Sequence, residues 1–262
     1  CCQPSMKPVV EEYTMPSSRS PLPSRPFNFR LWLGIPLGLM ALLLVLDPKP
    51  LDFALAEQFY DPAKGFIGGG SSWLENVLHD QVKIMVICLG VACIAAFLVS
   101  LLPVRLRSWR RELGYLVLAL GLSTSIVPPL KTLTAVQCPW SLTQFGGHEA
   151  FSPLIGERPL TDKPGRCWPG GHASTGFALL ALYFALRDRR PRLARWALGL
   201  ALTLGCVLSL GRMMQGAHFL SHNLWTLLLD WVIAVVGYRV LLYRSAAQPA
   251  LPSPIIGQER PA

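Results

Sequence analysis

Charge is scarce in this chain. Only 15% of its 262 residues are charged, against 52% that are hydrophobic, whereas a soluble domain carries about 25% charged residues. Together with a mean hydropathy of +0.39, that deficit excludes an ordinary large soluble core and points to a membrane protein. Acidic residues are the rarer sign, 15 against 24 basic ones, for a formal charge of +9. Aromatic residues are not interleaved with the basic ones, which lie in short interhelical connections. This argues against nucleic-acid binding. No internal repeat is present, so the folded part reads as one domain. The chain opens on Cys1 rather than Met, which leads to the expectation of a processed or trimmed form. A lipid-modified N-terminal cysteine stays open.

Six apolar segments stand out: Leu31–Leu46, Ile84–Leu102, Leu113–Pro129, Ala173–Leu186, Trp196–Leu210 and Leu224–Leu242. A spanning helix needs about 20 residues, with a range of about 17–25. The fourth and fifth segments reach that length only by borrowing flanking residues. The expectation is an all-α polytopic membrane domain of six transmembrane helices over residues 27–244, between disordered tails at 1–26 and 245–262. Pro36 is tolerable inside the first span if neighbouring groups re-satisfy the backbone.

Basic residues orient the spans. Arg19, Arg25 and Arg30 precede the first, while Arg105, Arg107, Arg110 and Arg111 fill the second connection. Arg187, Arg189, Arg190, Arg192 and Arg195 fill the fourth, and Arg244 follows the sixth. All fall on one side, which the positive-inside rule makes cytoplasmic together with both termini. The opposite, extracytoplasmic face carries the connections Asp47–Lys83, Leu130–His172 and Gly211–Asn223, with all five histidines: His79, His148, His172, His218 and His222. Chemistry is therefore expected on the outer face of the cell (inner) membrane.

Three outward stretches share their content: PPLKTLTAVQCPW around Lys131, RCWPGGHAS around His172, and GRMMQGAHFLSHN with Arg212, His218 and His222. A lone lysine at a span end is ordinarily a snorkelling anchor, and a lone histidine at a helix start a polar boundary residue. Two cations and three imidazoles at helix ends on one face suit phosphoryl transfer better. Lysine and arginine clamp phosphate oxygens. One imidazole can attack phosphorus while another protonates the leaving oxygen. Pro-Gly-Gly before a helix presents backbone N–H groups to an anion.

Lys131-x6-Cys138-Pro139, Pro169-Gly170-Gly171-His172 and Arg212-x5-His218-x3-His222 resemble the three motifs of the type-2 phosphatidic acid phosphatase superfamily. That family also includes vanadium haloperoxidases and bacterial acid phosphatases. The resemblance implies His218 as the nucleophile that becomes phosphorylated, His172 as general acid, and Lys131 and Arg212 as phosphate holders. Backbone near Gly170 and Gly171 would stabilise the equatorial oxygens. It implies no metal or other cofactor for hydrolysis. The expected substrate is a phospholipid or polyprenyl phosphate or diphosphate, met among membrane lipids.

The chain departs from the family's Lys-x6-Arg-Pro, Pro-Ser-Gly-His and Ser-Arg-x5-His-x3-Asp patterns at three places. Cys138 replaces Arg, Gly170 replaces Ser, and His222 replaces the Asp that orients the nucleophile. Arg166 is a candidate for the missing guanidinium, whereas Asp230 is a poor stand-in for the carboxylate. The family's active site brings the first two motifs together around one phosphate, which implies a disulfide between Cys138 and Cys167. Other readings stay open at this point. His218 and His222, spaced i, i+4, could bind zinc with His148, His79 or a reduced cysteine. A non-catalytic lipid-phosphate binder and a phosphotransferase acting on a lipid acceptor are the others.

Overall fold

The structure is a computed structural model and describes residues 24–71, 74 and 81–244. The rest of the two expected tails, and His79, lie outside the described residues. Helix α1 (Phe29–Val45) starts where the Asn28 side chain accepts from the Leu31 N–H at 3.1 Å, an ordinary N-cap. It ends before Asp47-Pro48, and α2 (Lys49–Glu57) leaves at an angle of 87° to it. A two-residue hairpin, β1 (Tyr60–Asp61) and β2 (Gly65–Phe66), pairs antiparallel with Tyr60 opposite Phe66. Then come α3 (Val82–Val99), α4 (Arg110–Thr134), α5 (Gly171–Phe177), α6 (Leu180–Leu186), α7 (Pro191–Met214) and α8 (Leu220–Gly237).

Among the described residues, four helical stretches are long and apolar enough to cross a membrane: α3, α4 with its flanking turns, α7 and α8. They become five if α1 and α2 count as one bent span. Their outer faces are apolar, with Leu37, Leu42 and Leu44 on α1, Ile84, Ile87, Val91 and Leu98 on α3, and Trp196 and Leu200 on α7 all exposed. That exceeds the apolar patches a soluble monomer carries, and it marks an integral membrane protein. The fourth expected span is folded as two short helices. The turn tightens at Leu179, whose N–H bonds Gly176 O three residues back at 3.2 Å.

The third apolar segment continues beyond its expected end at Pro129. Helix α4 passes through Pro128 and Pro129 and stops at Ala135, whose φ of 48° is left-handed and whose N–H bonds the Lys131 carbonyl. Lys131 therefore belongs to the last turn of α4, a position that favours a cation, and not to a loop.

The core lies between α4, α5, α6, α7 and α8, built from Tyr115, Phe177, Leu180, Phe184, Val235 and Tyr238 among others. Tyr115 donates its hydroxyl to Ala234 O at 3.0 Å, tying α4 to α8. Helices α5 and α7 approach so closely that a Cβ on Gly176 would lie 2.5 Å from the Gly205 backbone. Only glycine fits there.

Two ends of the bundle differ in chemistry. At one end Arg189 pairs with Glu112 at 2.8 Å, Arg110 donates to Ser100 O, and Arg187 donates to Pro26 O. Residues 24 and 25 are held there too, Ser24 by Arg244 and Arg25 by Asp188. The other end carries Lys131 and Arg212, at the far ends of α4 and α7. Over it lies an aromatic layer of Phe53, Tyr60, Phe66, Phe145, Phe151 and Phe219, from α2, the hairpin, the 139–151 loop and the start of α8.

Candidate active site

Four elements deliver the motif residues to one place. Lys131 comes from the last turn of α4, His172 from the first turn of α5 and Arg212 from the last turn of α7. His218 lies in the connection to α8, and His222 in the first turn of α8. The His172 and His218 rings are 6.4 Å apart between centroids, and His218 and His222 are 6.0 Å apart. The Lys131 ammonium lies 3.4 Å from where a Cβ on Gly171 would begin. A cavity of about 490 Å³ opens here, lined by Lys131, Gly171, His172, Arg166 and Lys83. Arg166 thus reaches the cavity.

Gly170 has a steric reason. A Cβ at that position would come 2.5 Å from the Oδ1 of Asn223, closer than atoms pack, so serine does not fit without moving Asn223. Its N–H is also occupied, donating to His222 O at 3.2 Å. Of the two glycines expected to present N–H groups to an anion, only Gly171 lines the cavity. The Gly170 carbonyl accepts from the Thr226 hydroxyl at 3.1 Å, so the Pro-Gly-Gly turn is fastened to α8 from both sides.

Cys138 and Cys167 are joined by a disulfide, with Cα atoms 5.2 Å apart. Cys167 N–H bonds Val136 O at 3.1 Å, so the bridge ties the chain just after α4 to the chain just before α5. Lys131 and the Pro-Gly-Gly turn are thereby held in register. Arg212 donates through Nη1 to Gln215 Oε1 at 2.7 Å, and its guanidinium lies 5.7 Å from the Trp140 ring centre. The loop carrying Trp140 is itself fixed by Trp140 N–H to Gly216 O at 2.9 Å.

His218 is 4% exposed. Burial, then the Lys131 ammonium, His222, Arg212 and His172, push its pKa well below the ordinary histidine value, because each disfavours the charged imidazolium. A neutral imidazole with a free lone pair is the nucleophilic form. His222 donates a hydrogen bond to the Cys167 backbone. No hydrogen bond joins it to His218, and the Nδ1 atoms of both are buried without a hydrogen-bond partner. The chain between them is not a continuous helix, since Phe219 is extended at the start of α8. No group of three metal-ligating side chains is placed to hold a metal among the described residues. His148 is exposed, Cys138 and Cys167 are bonded to each other, and His79 is outside the described residues.

Several neighbours of the site are not legible in the motifs. Lys83 lines the cavity from the start of α3. Asn223 and Thr226 pack on Gly170. Asp52, buried on α2, accepts the Ser221 N–H at 2.9 Å from 169 residues away. A carboxylate in the short PLDFALAE stretch directly after a proline was the available signal, but nothing local to it names its partner.

The PAP2 superfamily model matches residues 112–246, more than half of the chain, from the start of α4 to beyond α8. The lipid A 4'-phosphatase of Francisella tularensis subsp. novicida (strain U112) is 28% identical over 221 residues, which cover 81% of this chain and 97% of that protein. No solved structure matches.

Proposed function

The chain belongs to the PAP2 superfamily, and from that premise we propose that it is a membrane phosphatase. It hydrolyses a lipid phosphate or diphosphate through a phosphohistidine on His218. The observation that carries the reading is one of continuity. The cationic cavity around Lys131, Arg166 and His172 shares Val86, Ile87 and Thr124 with an apolar groove of about 290 Å³ between α3 and α4. A phosphate in the cavity and an acyl or prenyl chain in the groove would use both. The relative is a lipid A 4'-phosphatase, so a lipid A phosphate is the first substrate to test, ahead of undecaprenyl diphosphate and phosphatidylglycerol phosphate.

In this mechanism Lys131 and Arg212 hold the phosphoryl oxygens, with Arg166 in place of the arginine that Cys138 displaces. The neutral His218 attacks phosphorus with a ring nitrogen. The bond to the lipid oxygen breaks as that oxygen takes a proton from His172. Water then attacks the phosphohistidine, losing its proton to His172, and releases phosphate and free His218. His222 acts on the turn rather than on His218 directly, by anchoring the start of α8 to the Cys167 backbone.

The bundle reads as six spans: α1, α3, α4, the α5–α6 pair, α7 and α8. The arginine-rich end and both termini are cytoplasmic by the positive-inside rule. The site then opens on the extracytoplasmic side of the inner membrane, where a disulfide persists. The test is phosphate release by the purified chain from a panel of lipid A, undecaprenyl diphosphate and phosphatidylglycerol phosphate, beside His218→Ala. Release from at least one lipid that His218→Ala abolishes supports the reading. Equal release by both proteins, or none from any lipid, overturns it.

A further inference from the structure

The family's third motif places a carboxylate four residues after the nucleophile, and this chain has His222 there. A buried carboxylate nevertheless touches the same turn. Asp52 is 5% exposed and accepts from both the N–H of Ser221, at 2.9 Å, and its hydroxyl. Ser221 stands between His218 and His222 in the chain. Helix α8 has Phe219 at its N-cap, which offers no side-chain acceptor, so one of its orphan N–H groups is satisfied from α2. A serine or aspartate at position 219 would do that locally, without burying a distant charge. Phe219 instead stacks on Phe53, the neighbour of Asp52, with ring centroids 5.3 Å apart and planes 15° from parallel. Phe53 also meets Phe145 and Phe151. The pair of contacts, one aromatic and one hydrogen-bonded, clamps α2 to the first turn of α8. Asp52 and His222 also line one cavity, of about 210 Å³.

We propose that Asp52 is the positioning residue that replaces, from another helix, the carboxylate missing at 222. It fixes Ser221, and with it the connection that aims His218. The inference rests on the phosphatase reading above. Asp47 and Lys49 flank the same cavity at the α1–α2 elbow, and neither bonds Ser221.

The experiment measures hydrolysis of p-nitrophenyl phosphate by the full chain in detergent, with unfolding midpoints recorded alongside. Wild type against His218→Ala reads the phosphatase assignment separately. Asp52→Asn keeps an acceptor for the Ser221 N–H but loses the second oxygen, which accepts from the Ser221 hydroxyl. It should lower kcat roughly 10–100-fold, the scale of a small misplacement of a reacting group, with KM unchanged. Adding His222→Asp to Asp52→Asn should restore kcat by about tenfold or more. Asp52→Glu, which keeps both acceptor oxygens, should exceed Asp52→Asn. Wild-type kcat in Asp52→Asn, a loss that His222→Asp does not recover, or Glu falling below Asn would each overturn the proposal.

Discussion

Gly170→Ser restores the family's own residue at that position, and it should damage this protein. The new Cβ would lie 2.5 Å from Asn223 Oδ1 and 3.4 Å from Thr226 Oγ1. Asn223 is 3% exposed, and its amide nitrogen is bonded to Phe219 O at 3.2 Å. To make room the Asn223 side chain must rotate, and it gives up that bond. Overpacking of a filled interior costs about 1–3 kcal/mol, and a lost internal hydrogen bond adds about 0.5–1.5 kcal/mol. The sum is about 1.5–4.5 kcal/mol. Part of it moves the start of α8, so phosphate release should fall with stability. The assay is the unfolding midpoint of purified Gly170→Ser in detergent, with the Gly170→Ser/Asn223→Ala double variant beside it. Truncating Asn223 removes the clash, so the double variant should be more stable than Gly170→Ser alone. A Gly170→Ser protein as stable as wild type, or a double variant less stable than both single variants combined, would refute the packing argument.

Other predictions follow from the same geometry. Cys138 and Cys167 should resist alkylation without reductant in the localised protein. Replacing both with serine should cost about 3–4 kcal/mol in the chain-entropy model, read from denaturant or thermal unfolding. His218 has a pKa held below the ordinary value of 6.5, so the unfolded chain takes up its proton first as pH drops. Its contribution to stability is complete above that value and is lost as pH falls toward the folded one. A His218→Gln variant should accordingly lose less stability than wild type between neutral and acid pH in melting curves. Gly121 faces open space beside the α3–α4 groove, so Gly121→Phe should reduce turnover of a long-chain lipid phosphate about tenfold or more. It should do much less to p-nitrophenyl phosphate, and equal loss on both would remove the groove from the account.

The helices were legible because hydropathy and arginine clusters act along single segments. Each apolar segment is helical, and the arginine-rich connections gather at one end. Lengths were less legible. Helix α4 runs past Pro129 because a proline pair in a packed apolar helix does not end it, and the fourth segment breaks at a tight turn where the Leu179 N–H bonds Gly176 O. In the site, Lys131, His172, Arg212, His218 and His222 could be read because each sits within a short motif. The Gly170–Asn223 contact and the Asp52–Ser221 bonds could not. They join residues 53 and 169 positions apart, and only the folded chain brings such pairs together. His222, at the position of the family's carboxylate, is anchored to the Cys167 backbone. The extended Phe219 turns the two rings apart, and the Cys167 carbonyl lies within reach of His222.

The central claim is covalent catalysis by His218. Its most direct test is rapid quenching of the purified full chain with a ³²P-labelled lipid phosphate, followed by peptide mapping under alkaline conditions that preserve phosphohistidine. Label should appear on the peptide containing His218 and be absent in His218→Ala. Label on a different residue, or turnover without any label on the His218 peptide, would contradict it.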